Sequence, residues 1–267
     1  DLPQEEALEL VISGPGGETI RTFTRKPENE SEEKPKPADK DKLLTAKTGL
    51  NRLEWDMRYP SVERFEKLVL WNDYLDGPKA VPGTYKASLT AGSTIRRTEL
   101  EIRPDPRSSA TAEELQQQFD FAWSINRKLT DVHRAITRLR NARTQIETFS
   151  ERAKDREEYA DLPEMADSIK QQLTQVEEAL YQTSLEARQD PLNFPIRLND
   201  KLAGVMLVAT IGDHPPTASA IAVRDELFAA VDSQLGQLEK VLGPGIDDFN
   251  KRVAELQLPA VSVDNTP

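Results

Sequence analysis

Alternating apolar and polar positions predict short β-strands in the first part of the chain. The pattern recurs in five segments, Ala7 to Ser13, Thr19 to Thr24, Gly49 to Pro60, Val81 to Ala91 and Ser93 to Arg103. A period of two residues is typical of strands that are buried on one face. The turn sequence at residues 14–17 predicts that the first two strands form a hairpin. We expect the third and fourth segments to be the central strands of a small β-sandwich.

After Arg107 the apolar residues recur at helical spacing instead. Thr111 to Glu114 has the sequence of a capping box, which predicts the start of a helix of about forty residues. An apolar seam runs along this helix from Leu115 to Phe149 and is interrupted only at Arg143.

Four further helices are predicted, each ended by a proline or glycine break or by a polar stretch. Asp161 to Glu164 caps the second helix, and a shorter third helix covers Asn199 to about Ile211, where the β-branched content leaves a strand as the alternative. A fourth helix ends at Leu242, and Gly243-Pro244-Gly245 separates it from a short last one. Together these segments predict an antiparallel helical bundle.

The change of pattern predicts an α+β chain with segregated domains. Residues 1–107 form the β-sandwich, residues 108–260 the bundle of about four to five helices, and residues 261–267 a tail. Within the sandwich, residues 28–42 are almost entirely charged and polar, which predicts a mobile loop. The alternative for this loop is a docking strip for a charged partner.

An apolar insertion at residues 61–80 contains the candidate ligand-binding residues. Trp71 and Tyr74 lie beside Asp73 and Asp76, and such aromatic and acidic residues stack on and hydrogen-bond to sugars. The alternative is that the aromatic side chains fill the interface between sandwich and bundle. The spacing also resembles a calcium loop, but Tyr74 takes a ligand position and the distal glutamate is missing.

Composition narrows the classes of partner. The net charge is −11, most of it after Arg107, and this disfavours nucleic acid and anionic lipid. The absence of cysteine removes disulfides and thiolate chemistry, and no apolar run is long enough to predict a membrane span. Because the chain begins at Asp1 without an initiator methionine, we expect a fragment of a longer protein or a processed product.

Catalytic motifs are not found in the sequence. His133 and His214 are too far apart for a two-histidine metal motif, and His133 is expected at a helix surface or interface. Neither a phosphate loop nor a nucleophile elbow occurs, and adjacent acids on helices point in different directions. The sequence therefore predicts no catalytic residues, no metal site and no cofactor for this chain.

Six motifs in order carry a family resemblance: GLNRLEWDMRYP, LVLW, GPKAVPGTYKASLT, the DPR at Asp105, LNFPIRLNDKLAGV and PPTASAIAVRDEL. Together they resemble the C-terminal region of bacterial sortilin-like β-propeller proteins, which are labelled BNR-repeat glycosyl hydrolases. The first half is also similar to the Ig-like domain of flagellar hook-capping proteins, through the Trp-Asp-x-Arg sequence of Leu53 to Arg58 and the Pro-Gly-Thr-Tyr turn of Pro82 to Tyr85.

The resemblance implies that the sandwich is Ig-like and that the chain belongs to an exported protein with a propeller upstream. It implies an extracytoplasmic location and a non-catalytic accessory role, with the propeller or another protein subunit as the partner. A carbohydrate-binding module that uses Trp71 and Tyr74 is one alternative. The other is part of a glycosidase or peptidase whose active site lies upstream, because no aspartate box occurs in this chain.

Overall fold

The computed structural model of the chain describes residues 8–25, 43–44, 49–153, 159 and 161–256. The predicted charged loop at 28–42 and the predicted tail at 261–267 lie outside the described residues. The described elements include both helices and a sheet, which confirms the α+β class.

Within the described ranges, five strands form one mixed sheet in the order β3-β2-β1-β4-β5. Their bounds are Leu8–Ser13 (β1), Thr19–Arg25 (β2), Leu43–Leu44 (β3), Gly83–Ala91 (β4) and Thr94–Ile102 (β5). Strands β1 and β2 form the predicted hairpin, and β4 and β5 pair antiparallel as consecutive strands. Only β3 is parallel to its neighbour. The central strand is β1, which pairs with both β2 and β4.

The prediction of a central strand at Gly49–Pro60 is wrong. This segment contributes a single bridge, between Arg58 and Lys79, and Met57 has a positive φ of 56°. The carboxylate of Asp56 accepts a hydrogen bond from the Arg58 amide, so a local turn takes the place of a ladder. Leu50 is 98% exposed, so the apolar alternation here does not mark a buried face.

Aromatic residues form the core beside the sheet. Tyr85 on β4 is buried, and its hydroxyl donates to the Val81 carbonyl at 2.7 Å. Tyr59 packs edge-on against Phe119 and Trp123, with ring centroids 4.6 and 5.5 Å away. These contacts attach the first turns of the long helix to the sheet, and each aromatic pair contributes about 1 kcal/mol beyond the area that it buries.

Within the described residues there are five α-helices. Their bounds are Ala112–Ala153 (α1), Asp161–Leu180 (α2), Leu198–Ala209 (α3), Ala218–Lys240 (α4) and Ile246–Glu255 (α5). The helix predicted from Asn199 to about Ile211 is confirmed against its strand alternative. Between α4 and α5 the chain stays helical through one π-helical turn at Val241–Gly245, where a break was predicted. None of the helices in these ranges combines the length and the hydropathy that crossing a bilayer requires.

The capping box predicted for α1 is present. The Thr111 hydroxyl accepts from the Glu114 amide at 3.2 Å, and the Glu114 carboxylate accepts from the Thr111 amide at 2.8 Å. We expect Thr111→Ala to lower the free energy of unfolding by about 1 kcal/mol, because the Glu114 amide at the helix start loses its acceptor. Urea denaturation followed by circular dichroism measures this. The control is Thr137→Ala, an exposed position inside the same helix; an equal loss there would contradict the capping role.

The chain divides into two compact units, each built from separate segments. One contains residues 1–62, 75–126 and 209–216, and the other contains residues 63–74, 127–208 and 217–267. This division differs from a single boundary near residue 107, because α1 runs without interruption from one unit into the other. The predicted insertion at 61–80 is likewise divided, and its middle part belongs to the second unit, which we call the helical unit.

Candidate recognition site

Residues 63–74, which we call the anchored segment, cross the helical unit without regular secondary structure. A segment of this kind has backbone polar groups that need partners other than a ladder or a helix. Side chains from three different helices or their ends supply such partners, among them His133, Tyr181 and Asp200. The segment is therefore fixed by long-range hydrogen bonds.

Asp200, in the first turn of α3, holds two successive backbone amides of the segment. Its carboxylate accepts from the Trp71 amide at 2.7 Å and from the Asn72 amide at 2.9 Å, and only 2% of the residue is exposed. One turn later, a Cβ at Gly204 would lie 3.0 Å from the Asn72 side-chain nitrogen. A glycine inside a helix costs about 1 kcal/mol relative to alanine, but here it leaves room for the Asn72 amide.

Trp71 combines a fixed backbone with an exposed side chain. Its amide is held by Asp200, yet 46% of the residue is exposed. Tryptophan is one of the residues that contribute most to binding at protein interfaces, and it also stacks on sugar rings. Because the backbone is already ordered, little conformational entropy is lost when the indole binds a partner.

The other three candidate ligand-binding residues have different surroundings. The Asp73 carboxylate accepts from Arg64 at 2.8 Å, in an ion pair that is partly exposed on both sides. Tyr74 is half-buried at the end of the anchored segment. Asp76 is exposed and belongs to the other compact unit. The anchored segment thus contains Trp71, Asp73 and Tyr74, whereas Asp76 lies outside it.

Tyr181, just after α2, holds the middle of the anchored segment. Its hydroxyl accepts from the Val69 amide at 3.3 Å and lies 3.4 Å from the Lys67 carbonyl, to which it donates. Burial raises the pKa of this hydroxyl, so it stays protonated and keeps its ability to donate. Phe65 packs edge-on against the Tyr181 ring at 5.0 Å.

His133 holds the start of the segment and is buried, with 1% exposed. Of the two places predicted for it, a helix surface or an interface, the structure has the interface. Its Nδ1 lies 2.6 Å from the Glu63 carbonyl and its Nε2 lies 3.4 Å from the Asn199 amide nitrogen. These partners require a neutral ring that is protonated at Nδ1. Burial lowers the pKa of His133 to about 4, and the positive charge of Arg64 acts in the same direction.

A second feature of the helical unit, absent from the sequence predictions, is a pocket of about 400 Å³ between α1 and α2. We call it the arginine pocket. It is lined by Arg140, Arg143 and Thr144 on α1, by Thr174, Glu177 and Glu178 on α2, and by Thr183 beyond the end of α2. The signal for it in the sequence was Arg143, which interrupts the apolar seam of α1.

Glu177 is the buried centre of this pocket, with 3% exposed. One carboxylate oxygen lies 2.7 Å from Arg140 Nε and the other lies 2.7 Å from Arg143 Nη2. The Arg140 guanidinium also lies over the Phe65 ring, 4.8 Å from its centroid. One carboxylate thus positions two guanidinium groups side by side.

In the part of the chain that the structure describes, no group of three or more His, Cys, Asp or Glu side chains is placed to hold a metal ion. Comparisons of the chain with models of protein families, with curated proteins and with solved structures find no match.

Proposed function

We propose that this chain is a non-catalytic interaction region that recognises a protein partner through Trp71. The observation that carries the proposal is an indole that is 46% exposed on a backbone held by the buried Asp200. Solvent exposure of a tryptophan is unfavourable unless a partner covers it, and a rigid support is typical of residues that dominate binding energy.

The buried ionisable groups of the helical unit support a non-catalytic role. His133 and Asp200 both hydrogen-bond to the backbone of the anchored segment. Glu177 is paired with two arginines. A general base must reach a substrate proton and needs a pKa near the working pH, whereas His133 is buried and has a pKa of about 4. These groups therefore support the fold rather than a reaction.

The proposal extends to the architecture and to the partner. We propose that the mixed sheet belongs to an Ig-like β-sandwich, which the antiparallel pairing of β1, β2, β4 and β5 supports. We propose that the helices form an antiparallel bundle, which the packing of α2 against α4 and α5 supports. The partner is an upstream β-propeller of the same protein or another subunit, in an extracytoplasmic compartment.

Site-specific crosslinking in cells of the source organism tests this proposal. A photoreactive phenylalanine analogue at position 71 is expected to give a crosslink to one partner protein, or to another segment of the same polypeptide, and mass spectrometry identifies it. With that partner purified, Trp71→Ala is expected to weaken binding at least about tenfold, as the loss of a central tryptophan does. Because the side chain is exposed, stability should change by no more than about 0.5 kcal/mol.

The matched control is Leu192, which is 71% exposed in the same unit. The analogue at position 192 is expected to give no crosslink, and Leu192→Ala is expected to leave binding unchanged. Identical crosslinks at both positions, or equal binding by Trp71→Ala and the unaltered chain, would refute recognition through Trp71. Hydrolysis of a glycosidic or peptide bond by the purified chain, lost when one carboxylate is substituted, would refute the non-catalytic role.

Carbohydrate binding by Trp71 and Tyr74 is the second candidate, and the exposed indole favours it as well. It is the weaker candidate because the Asp73 carboxylate is already paired with Arg64. A glycan array separates the two functions: a signal that is lost in the Trp71→Ala, Tyr74→Ala double variant supports carbohydrate binding. The third candidate is part of a glycosidase or peptidase whose active site lies upstream. It predicts that the longer protein hydrolyses a glycosidic or peptide bond and that the purified chain does not.

A further inference from the structure

We infer that the arginine pocket binds the carboxylate group of a small organic monoacid, which hydrogen-bonds to Arg143 and lies beside Arg140. This inference rests on the residues that form the arginine pocket and does not depend on the role of Trp71. The pocket volume of about 400 Å³ is within the range of small-molecule sites.

The two guanidinium groups are held in position before any ligand arrives. Arg140 donates from Nε to Glu177 at 2.7 Å and lies over the rings of Phe65 and Tyr181, with centroid distances of 4.8 and 5.7 Å. Arg143 Nη2 lies 2.7 Å from the other Glu177 oxygen. Ordering these long side chains is a large part of the cost of binding an anion, and here the fold has already ordered them.

Arg143 has hydrogen-bonding capacity that the described part of the chain does not use. Its Nε and Nη2 are buried, and within that part neither has a hydrogen-bond partner. Nη2 is ion-paired with Glu177 at 2.7 Å, which leaves Nε as the buried nitrogen without a partner in the described residues. Buried polar groups in folded proteins almost always have a partner, and a guanidinium fork is well suited to a carboxylate.

The local charge selects a monoanion. Arg140 and Arg143 carry two positive charges, and the buried Glu177 cancels one of them. The exposed Glu178 brings the formal charge of the whole lining to zero, so the positive charge that attracts a carboxylate is confined to the two guanidinium groups. The dianionic form of phosphate would leave a negative charge beside Glu178, which also lines the pocket. The remaining lining comes from three threonines, whose hydroxyl and methyl groups suit a short polar or aliphatic acid.

Nuclear magnetic resonance of the arginine side chains tests this inference on the whole chain labelled with ¹⁵N. Acetate, propionate and butyrate are added at constant ionic strength, with chloride replaced by the acid. The Nε–H signal of Arg143 is expected to shift and to saturate at millimolar concentrations, as the small size of these probes allows. Inorganic phosphate is expected to bind at least about threefold more weakly than acetate.

Substitutions test whether acetate binds in the arginine pocket rather than elsewhere on the helical unit. Arg143→Lys keeps the charge but removes the fork, and we expect it to weaken acetate binding about tenfold. Thr174→Val keeps the shape of the wall and is expected to weaken binding about threefold without altering either arginine. The control is Arg138→Lys on the same helix, whose partner is Glu239, and it is expected to leave binding unchanged.

Three results would overturn the inference. The first is the absence of a saturable shift at Arg143. The second is a parallel shift of the Arg138 and Arg143 signals, which would indicate a general ionic effect. The third is phosphate binding that equals or exceeds acetate binding, which would exclude selection of a monoanion. Circular dichroism of each variant establishes that it is folded, and Thr174→Val keeps the test decisive if Arg143→Lys unfolds.

Discussion

Glu177→Gln is expected to lower the free energy of unfolding by about 3 kcal/mol. One carboxylate oxygen of Glu177 is ion-paired with Arg140 and the other with Arg143, and only 3% of the residue is exposed. A glutamine of the same shape has one oxygen, so its amide nitrogen faces one of the two guanidinium groups. Removing one member of a buried ion pair costs about 3–5 kcal/mol, and the lower value applies because Arg140 is 34% exposed.

Urea denaturation followed by far-ultraviolet circular dichroism measures this loss, because the affected residues lie on helices. The matched control is Glu178→Gln, which makes the same chemical change at the next position, where the side chain is exposed. We expect the control to alter stability by no more than about 0.5 kcal/mol. If the two variants lose the same free energy, the ion pairs of Glu177 do not stabilise the helical unit.

The helices were predictable because their signals lie within short windows of sequence. The capping box of Thr111 and Glu114 involves residues three apart, and the structure has both of its hydrogen bonds. The apolar seam of α1 likewise depends on spacings of three and four residues. The apolar residues at its middle, including Ile125, Leu129 and Ile136, are fully buried. A long helix is specified locally, and its buried face follows from the same pattern.

The central strand predicted at Gly49–Pro60 failed because a strand requires a partner that the segment itself does not specify. The alternation of Leu53, Trp55 and Met57 is compatible with a strand. In the structure the place beside β4 is taken by β1, and Trp55 donates its indole N–H to the Arg58 carbonyl within a local turn. Choice among several candidate strands depends on contacts that are distant in sequence.

The candidate sites, like the fold, were predictable from the sequence only in part. Trp71 could be selected from the sequence by residue type, but its support by Asp200 could not, because 129 positions separate the two residues. Arg143 was visible as an interruption of the α1 seam, whereas its partner Glu177 is one of several glutamates on α2. Which of them meets Arg143 depends on how α1 and α2 pack, and the periodicity of a single helix does not contain this information.

Stability of the helical unit is expected to fall by about 2 kcal/mol when the pH is lowered from about 7.5 to about 5, because of His133. Its pKa is about 4 in the folded chain and about 6.5 when unfolded. Between these values the unfolded chain binds the additional proton, so the stabilisation is complete above about pH 6.5 and declines as the pH falls towards 4. Burial in the helical unit is the main cause of the low pKa, and it disfavours the charged ring.

The comparison with His133→Asn isolates this effect. Asparagine does not titrate, and its amide can still donate to the Glu63 carbonyl in place of Nδ1. Carboxylates with lowered pKa values, such as those of Glu114 and Asp161, lose their contribution to stability only as the pH falls below about 5. A comparison between pH 7.5 and pH 5 therefore does not include their effect. We therefore expect the variant to be less stable than the unaltered chain at pH 7.5 but to lose about 2 kcal/mol less between the two pH values. Equal pH dependence in both proteins would mean that the pKa of His133 is the same in the folded and the unfolded chain. The folded ring would then become charged as the pH falls to 5, and burial would not hold it neutral.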